Sequence, residues 1–135
     1  MTYKNHSGDT REYIWVTENS QGTKVALTQD TFEKHVIADH VNDKARELSY
    51  DYVRGTIEFP RFIYKDQNHY KNQRVRYTEQ VYIEEYGHIQ NMVIVVDTDR
   101  EPNEVATWMV KSSLKQEKIN GGMIYDSRAN TKETN

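Results

Sequence analysis

Short apolar runs near the start of the chain are separated by turn-forming residues. YIWVT (13–17) and KVALT (24–28) have the composition of β-strands, and ENSQG between them predicts a small hairpin. A helix is then expected to begin at Thr28 or Thr31 and to carry the sequence TFEKHVIADHV. Residues 1–12 are polar, and we expect them to form a flexible N-terminus.

The helical pattern continues into a second segment. It extends from about Asp43 to Ile57 and is interrupted near Ser49 and Gly55. Pro60 ends it, because proline lacks the backbone N–H and the backbone freedom that a helix interior needs. The helices are therefore expected before Pro60.

Strand patterns follow Pro60. RVRYTEQVYIEE alternates with a period of two, and MVIVVD is a continuous β-branched run, typical of a central strand buried on both faces. YGHIQN between them predicts a turn. The expected strands lie at 61–65, 74–85, 92–97, 104–110 and, as a short edge strand, 121–127. This order predicts an α+β fold: N-terminal helices pack on one face of a curved antiparallel sheet of about four strands, and the other face is free to form a cleft.

Length and composition indicate one domain. The 135 residues are enough for one hydrophobic core, which we place at 13–127, followed by a flexible tail at 128–135. The absence of cysteine excludes disulfides, thiolate zinc sites and thiol nucleophiles. No apolar run approaches the ~18 residues of a membrane span. A cytoplasmic protein without a membrane partner is therefore expected.

A basic and aromatic segment contrasts with the net charge of −3. That charge argues against a general nucleic-acid coat protein, because nonspecific affinity comes largely from neutralising phosphates, but it allows a local basic cleft. Five cations and three tyrosines surround one acid, Asp66: Arg61, Lys65, Lys71, Arg74 and Arg76, with Tyr64, Tyr70 and Tyr77. Arginine grips phosphate with two donors and tyrosine stacks on bases, so the segment favours a groove for single-stranded RNA or DNA. The alternative is a solvated hairpin with an ordinary charge run.

The first predicted helix carries two histidines, His35 and His40. In a helical projection His40 lies within the apolar arc, whereas His35 lies on the flank, one turn from a carboxylate, Asp39, that would orient its ring. Histidine exchanges protons near neutral pH, so either is a candidate acid or base. The alternatives are a core histidine at His40 and a surface pair of His35 with Asp39. A metal site is not expected, because the chain has neither cysteine nor HExxH spacing.

Thr107 lies in the predicted strand EVATWMVKSS. Alternation puts Val105, Thr107 and Met109 on one face and Ala106, Trp108 and Val110 on the other. The Thr107 hydroxyl is a candidate hydrogen-bond donor to a phosphate or a reacting oxygen, and Lys111 is a candidate anion-binding residue. The alternative for Thr107 is an ordinary β-forming residue.

Five motifs, taken in order, resemble a known family: LTQDTFEKHVIADHV, VRGTIEFPRFIYKD, MVIVVD, NEVATW and GGMIYDS. Over roughly residues 24–127 they are similar to the phage- and mobile-element-associated nuclease-like domains of the barnase/EndoU/colicin/RelE-like superfamily. The similarity lies in the order and spacing of the motifs. Asp39 departs from the pattern, because members usually have a basic residue before the second histidine.

The resemblance implies a helix-plus-antiparallel-sheet fold and metal-independent RNA cleavage without a cofactor, with His35, His40 and Thr107 as catalytic residues. In that reaction a histidine takes the proton of a ribose 2′-hydroxyl, which attacks the phosphate to give a cyclic phosphate, while cations stabilise the phosphoryl oxygens. The candidate substrate-binding residues, from the basic segment and the predicted strands, are Arg61, Tyr64, Lys65, Tyr70, Arg74, Arg76 and Lys111.

Three functions fit the sequence. The first is a small metal-independent ribonuclease, a toxin-like effector that acts on structured or single-stranded RNA. The second is a non-catalytic phage or mobile-element accessory module of the same fold that binds RNA or a protein partner, for example an inhibitor. The third is a tyrosine-rich interaction domain that dimerises through a sheet edge. The lack of a basic excess favours the second and third over a nonspecific nuclease.

Overall fold

The computed structural model describes most of the chain. The described residues are 2–4, 10–38, 44–67, 73–119 and 122–129. Two predicted site residues, His40 and Tyr70, lie outside them, and so does Asp39.

The described residues form eight strands. They are β1 (Thr2–Lys4), β2 (Thr10–Glu18), β3 (Lys24–Thr28), β4 (Phe62–Lys65), β5 (Arg74–Ile83), β6 (His88–Asp97), β7 (Asn103–Lys111) and β8 (Met123–Asp126). Their order across the sheet is β1-β2-β3-β7-β6-β5-β4-β8. Strands β2 to β8 form one mixed seven-stranded open sheet, and the short β1 extends it by pairing with the first residues of β2.

The first helix, α1, follows β3 directly. It is an α-helix at Gln29–Phe32 and continues as a π-helix at Glu33–Ala38. The hydroxyl of Thr28 accepts a hydrogen bond from the Thr31 backbone N–H and so caps the helix, as threonine commonly does at a helix start. Thr28 is one of the two starting residues that the sequence predicts.

The second helix, α2, leads to β4. It is α-helical at Lys44–Ser49, tightens to a 3₁₀ turn at Tyr50–Tyr52 and is α-helical again at Val53–Glu58. The change of geometry follows Ser49, where the sequence predicts an interruption, and the helix ends before Pro60, as expected.

The α+β class is confirmed, but the expected sheet of about four strands is too small. Strand β3 pairs with β7 in parallel, through Val25 with Asn103 and Ala26 with Glu104. The N-terminal hairpin therefore belongs to the same sheet as the C-terminal strands. Periodicity identifies individual strands but does not show which distant strands pair, and this is why the count was too low.

The N-terminal segment also contributes to the sheet. Thr2 pairs with Glu12 and Lys4 with Thr10, within a stretch that the sequence predicts to be flexible. Strand β2 accordingly begins at Thr10, three residues before the start of the predicted strand at Tyr13.

The turn predicted at YGHIQN is tighter than expected. A 3₁₀ turn at Glu84–Tyr86 ends at Gly87, whose φ of 71° is a left-handed conformation that glycine adopts at low cost. Strand β6 then begins at His88, which pairs with Ile83. Four of the six residues of the predicted turn thus belong to a strand, and β6 lies between β5 and β7 as the expected central strand.

Strand β7 contains a β-bulge at Ala106. Val96 pairs with Val105, but the preceding Val95 pairs with Thr107, so Ala106 is an extra residue. Val105 and Trp108 consequently both belong to the core. The predicted alternation, which put Val105 on the face of Thr107 and opposite Trp108, is wrong, because a bulge shifts the side-chain alternation by one residue.

The core lies between the helices and one face of the sheet. Its members include Trp15, Val25, Leu27, Val53, Ile57, Ile63, Tyr77, Ile94 and Trp108. Trp108 is completely buried, and its indole N–H donates a hydrogen bond of 3.1 Å to the Arg46 carbonyl. Arg46 Nε donates one of 3.1 Å in return to the Trp108 carbonyl. This reciprocal pair fixes α2 against β7.

Candidate active site

His35 in helix α1 contacts strand β7. Its Nε2 and the Thr107 hydroxyl share a hydrogen bond of 2.9 Å, and its ring lies on Trp108 with 5.3 Å between ring centroids. Two predicted catalytic residues that are 72 positions apart in sequence therefore meet. His35 is half-buried against the sheet, which differs from the surface position that the helical projection suggests.

The segment that carries His35 is π-helical, with hydrogen bonds between residues i and i+5. The side chains of Glu33 to Ile37 therefore do not follow the 3.6-residue period on which the projection is based. Such segments occur often at functional sites. Here the segment carries the histidine that contacts Thr107.

A row of paired residues extends from Thr107 across four strands. Thr107 pairs with Val95, Val95 with Arg76, and Arg76 with Tyr64. Residues paired in this way point to the same face of a sheet. With strands about 4.8 Å apart, the row spans roughly 14 Å. The row therefore carries predicted catalytic and substrate-binding residues on the face opposite the core residue Trp108.

The carboxylate of Glu117 lies among the predicted substrate-binding residues. Its Oε1 accepts hydrogen bonds from the Tyr64 hydroxyl at 2.6 Å and from Arg76 Nη1 at 2.9 Å. Its Oε2 lies 3.1 Å from Arg76 Nη1 and 2.5 Å from Lys111 Nζ. The Glu117 side chain is only 4% exposed. We call Tyr64, Arg76, Lys111 and Glu117 the carboxylate cluster.

Glu117 reaches this position from the connection between β7 and β8. Strands β6, β5 and β4 lie between β7 and β8 in the sheet. The chain therefore has to cross the sheet on its way from the end of β7 to the start of β8. Contacts of Glu117 with side chains of β4, β5 and β7 place this crossing on the face of the row. We call residues 112–119 the crossover segment.

The cluster is held in defined charge states. Burial raises the pKa of Glu117, but hydrogen bonds from Lys111 and Tyr64 and the charge of Arg76 outweigh it, so the net pKa is lowered. Burial lowers the pKa of Arg76, but the charges of Glu117 and Asp66 outweigh it and raise the pKa. Burial and the bond to Glu117 raise the pKa of Tyr64. At neutral pH Glu117 is therefore an anion, Arg76 a cation and Tyr64 a neutral phenol.

The lowered pKa of Glu117 predicts a pH-dependent contribution to stability. A depressed carboxyl pKa stabilises the fold above the unfolded-state value, about 4.3, and the stabilisation is lost as pH falls through the folded-state value. Glu117→Gln is expected to lower the free energy of unfolding by about 2 kcal/mol at pH 7, because it removes the charged partner of buried donors. Urea unfolding of both proteins from pH 7 to pH 3 should show this difference shrinking. A difference that stays constant with pH would contradict the ionic role.

The other predicted substrate-binding residues that the structure describes lie outside the carboxylate cluster. Arg74 Nε donates to Asp97 at 2.7 Å. The Arg61 guanidinium lies 5.2 Å from the centre of the Phe62 ring. Lys65 is exposed beside the cluster, and its backbone N–H donates to the Gly122 carbonyl at 2.8 Å. Thus Tyr64, Arg76 and Lys111 converge, whereas Arg61 and Arg74 do not join them.

Two acidic residues of the site were missed from sequence. Asp66 is buried, with Oδ2 at 3.5 Å from Arg76 Nε, and counted in the sequence only as the lone acid of a basic segment. Glu117 lies in an irregular connection where periodicity gives no signal. Their roles come from tertiary contacts that local sequence patterns do not encode.

Within the ranges given above, no group of three or more His, Asp or Glu side chains is placed to hold a metal ion. No helix in that part of the chain is long and apolar enough to cross a membrane.

A hydroxyl and two cations lie on one face of the sheet, and an imidazole is hydrogen-bonded to the hydroxyl. These are the side-chain types that act on phosphodiesters. The sequence model of the family described as phage-Barnase-EndoU-ColicinE5/D-RelE like nuclease 2 matches residues 5–126, and the chain belongs to this phage-associated family of predicted nucleases. The resemblance carried by the five motifs is thereby confirmed. A nuclease family implies a nucleic-acid substrate. No curated protein and no solved structure matches the chain.

Proposed function

We propose that the protein is a metal-independent endoribonuclease whose proton-transfer residue is His35. The observation that carries the proposal is the 2.9 Å hydrogen bond between His35 Nε2 and Thr107, at one end of a row that also contains Arg76 and Tyr64. This arrangement connects an acid–base group, through Thr107, to the surface that carries the phosphate-binding groups, and phosphodiester cleavage needs both.

The proposed reaction uses the ribose as its own nucleophile. A base removes the proton of the 2′-hydroxyl, the 2′-oxygen bonds to phosphorus, and the bond from phosphorus to the 5′-oxygen breaks. An acid then protonates the leaving 5′-oxygen. His35 performs one of these two transfers. His40, the other histidine of the motif, is the proposed partner, and it lies outside the described residues.

The cations have an electrostatic role in this proposal. Charge builds up on the non-bridging phosphate oxygens in the transition state, and fixed donors stabilise it more strongly than water does. Arg76 and Lys111 are such donors, and both are held in place by hydrogen bonds to the same carboxylate. Thr107 orients the His35 ring or donates to a phosphate oxygen.

End-group analysis tests the proposed reaction. Purified protein is incubated with total RNA in EDTA, and the 3′ ends of the fragments are determined. We expect cleavage with 2′,3′-cyclic phosphate ends. RNA that stays intact but binds the protein would support a non-catalytic module in place of an enzyme.

Replacing Thr107 by valine tests the hydrogen bond to His35. Valine has nearly the shape of threonine but no hydroxyl, so we expect RNA cleavage to fall about tenfold, the effect of losing about 1.4 kcal/mol of transition-state stabilisation. Thr107→Ser keeps the hydroxyl and is the matched control, with activity near that of the wild type. Initial rates measured under EDTA give the comparison. Equal rates for the two variants would remove Thr107 from the proposal.

A further inference from the structure

We propose that Tyr64, Arg76 and Lys111 form the binding site for one phosphodiester group, that the Glu117 carboxylate occupies this site in the free protein, and that RNA binds by displacing Glu117. This inference rests on the proposed function, because it names the phosphate subsite of the same surface. It also assigns the crossover segment a part in substrate binding.

The donors around Glu117 suit a phosphate as well as a carboxylate. Arg76 Nη1 lies within 3.1 Å of both carboxylate oxygens, and the Tyr64 hydroxyl and Lys111 Nζ complete the set at 2.6 and 2.5 Å. Arginine forks, ammonium groups and hydroxyls that bind the two oxygens of a carboxylate also bind two oxygens of a phosphodiester. The site thus recognises an oxyanion with a single negative charge.

The cluster has no room for a phosphate while Glu117 is present. The pocket bounded by Tyr64, Asp66, Arg76 and Glu117 has a volume of about 10 Å³. That is the space of one water molecule. A phosphodiester at these donors therefore requires the Glu117 side chain to leave.

The crossover segment is built in a way that allows this movement. Most of its residues are exposed: Ser112, Ser113, Lys115, Gln116 and Lys118. Only Leu114 and Ile119 contribute half-buried apolar side chains beside Glu117. Segments with few buried apolar contacts open at low free-energy cost. Besides the carboxylate contacts, the segment is held by a hydrogen bond of 2.9 Å from Gln67 Nε2 to the Lys118 carbonyl and one of 3.3 Å from Asn91 to the Ser112 carbonyl.

Replacing the Glu117 carboxylate by a phosphodiester leaves the net charge at the site unchanged. Removing Glu117 alone would leave Arg76 and Lys111 without their shared anion, which is costly for a side chain such as Arg76 that is only 17% exposed. A phosphodiester brings the same charge, so the cations stay neutralised, and Glu117 regains water. Neutral ligands do not offer this compensation, and the site therefore discriminates in favour of anions.

Binding of an uncleavable RNA analogue tests the displacement. The probe is a fluorescent 2′-O-methyl oligonucleotide of mixed sequence, which lacks the attacking hydroxyl. We expect Glu117→Gln to bind it at least about tenfold more tightly than the wild type, because the internal competitor has lost its charge. Glu85→Gln, an exposed residue in the turn between β5 and β6, changes the net charge equally and should bind like the wild type. Equal or weaker binding by Glu117→Gln than by Glu85→Gln would overturn the inference.

Hydrogen exchange of the wild-type protein gives a second test that does not depend on a variant folding. Displacement predicts faster amide exchange in residues 112–119 when the 2′-O-methyl oligonucleotide is bound. Slower or unchanged exchange in this segment would mean that Glu117 stays in place as a permanent counter-ion, and the inference would be wrong.

The outcomes separate this inference from the proposed function. Tighter binding by Glu117→Gln and faster exchange, without cleavage of natural RNA, would support the phosphate site and reject the nuclease. Cleavage of RNA with an undisturbed crossover segment would support the nuclease and reject displacement.

Discussion

Replacing His35 by glutamine is expected to reduce RNA cleavage by about 10²–10⁴-fold, the usual contribution of a positioned acid or base. Glutamine keeps a polar group that can hydrogen-bond to Thr107, but it does not exchange protons near neutral pH. Because His35 also packs on Trp108, glutamine is preferable to alanine, which would leave a gap against the core. Initial rates on RNA in EDTA measure the effect.

His88→Gln is the matched control for the His35 variant. His88 is an exposed histidine at the start of β6, and its Nδ1 is 2.7 Å from the Tyr86 carbonyl, so its replacement removes an imidazole from a different part of the sheet. We expect wild-type cleavage from this variant. Thermal unfolding of both variants checks that they are folded. A folded His35→Gln protein with wild-type activity would rule out proton transfer by this residue.

Replacing Arg76 by alanine is expected to have two large effects. Cleavage should fall by about 10²–10³-fold, the usual cost of losing one donor to the transition-state oxyanion. The free energy of unfolding should fall by about 3 kcal/mol, because the buried carboxylates of Glu117 and Asp66 lose a cationic partner. Stability is measured by urea unfolding at neutral pH, and activity at a temperature where the variant is folded.

Arg76→Lys and Arg54→Ala separate the causes of these effects. Lysine keeps the positive charge of Arg76 but not the planar guanidinium with its several donors. We therefore expect the stability of Arg76→Lys to lie between those of the wild type and Arg76→Ala, with a marked loss of cleavage. Arg54 forms an exposed pair with Glu58 in helix α2, and its removal should cost no more than about 1 kcal/mol. If Arg76→Ala lowered the free energy of unfolding no more than Arg54→Ala does, the carboxylate cluster would not contribute to the stability of the fold.

Local periodicity accounts for what could be predicted of the fold. The β-branched run of β6 and the alternation of β5 depend on neighbouring residues only, and both strands were found. The parallel pairing of β3 with β7 and the bulge at Ala106 are tertiary features. They were therefore missed, and the strand count and the faces of β7 were wrong.

The candidate site was predictable in its side-chain types but not in its connections. His35 and Thr107 were candidates from their own chemistry and from motif order, Tyr64 and Arg76 from charge and aromatic composition, and Lys111 from its place at the end of a predicted strand. Glu117 had no such signal, because its role depends on the crossover segment passing over β5 and β4. Two cations of the basic segment, Arg74 and Arg76, are paired in the structure with carboxylates that charge composition alone does not reveal.

Cleavage of a DNA oligonucleotide that contains a single ribonucleotide tests the central claim most directly. The substrate is incubated with wild-type protein and with His35→Gln in EDTA, and the products are identified by mass. We predict one cut by the wild type, on the 3′ side of the ribonucleotide, with a 2′,3′-cyclic phosphate, and a rate for the variant that is at least about 10²-fold lower. Cuts at deoxyribonucleotides, equal cutting by the variant, or an oligonucleotide that is bound but never cut would contradict the claim.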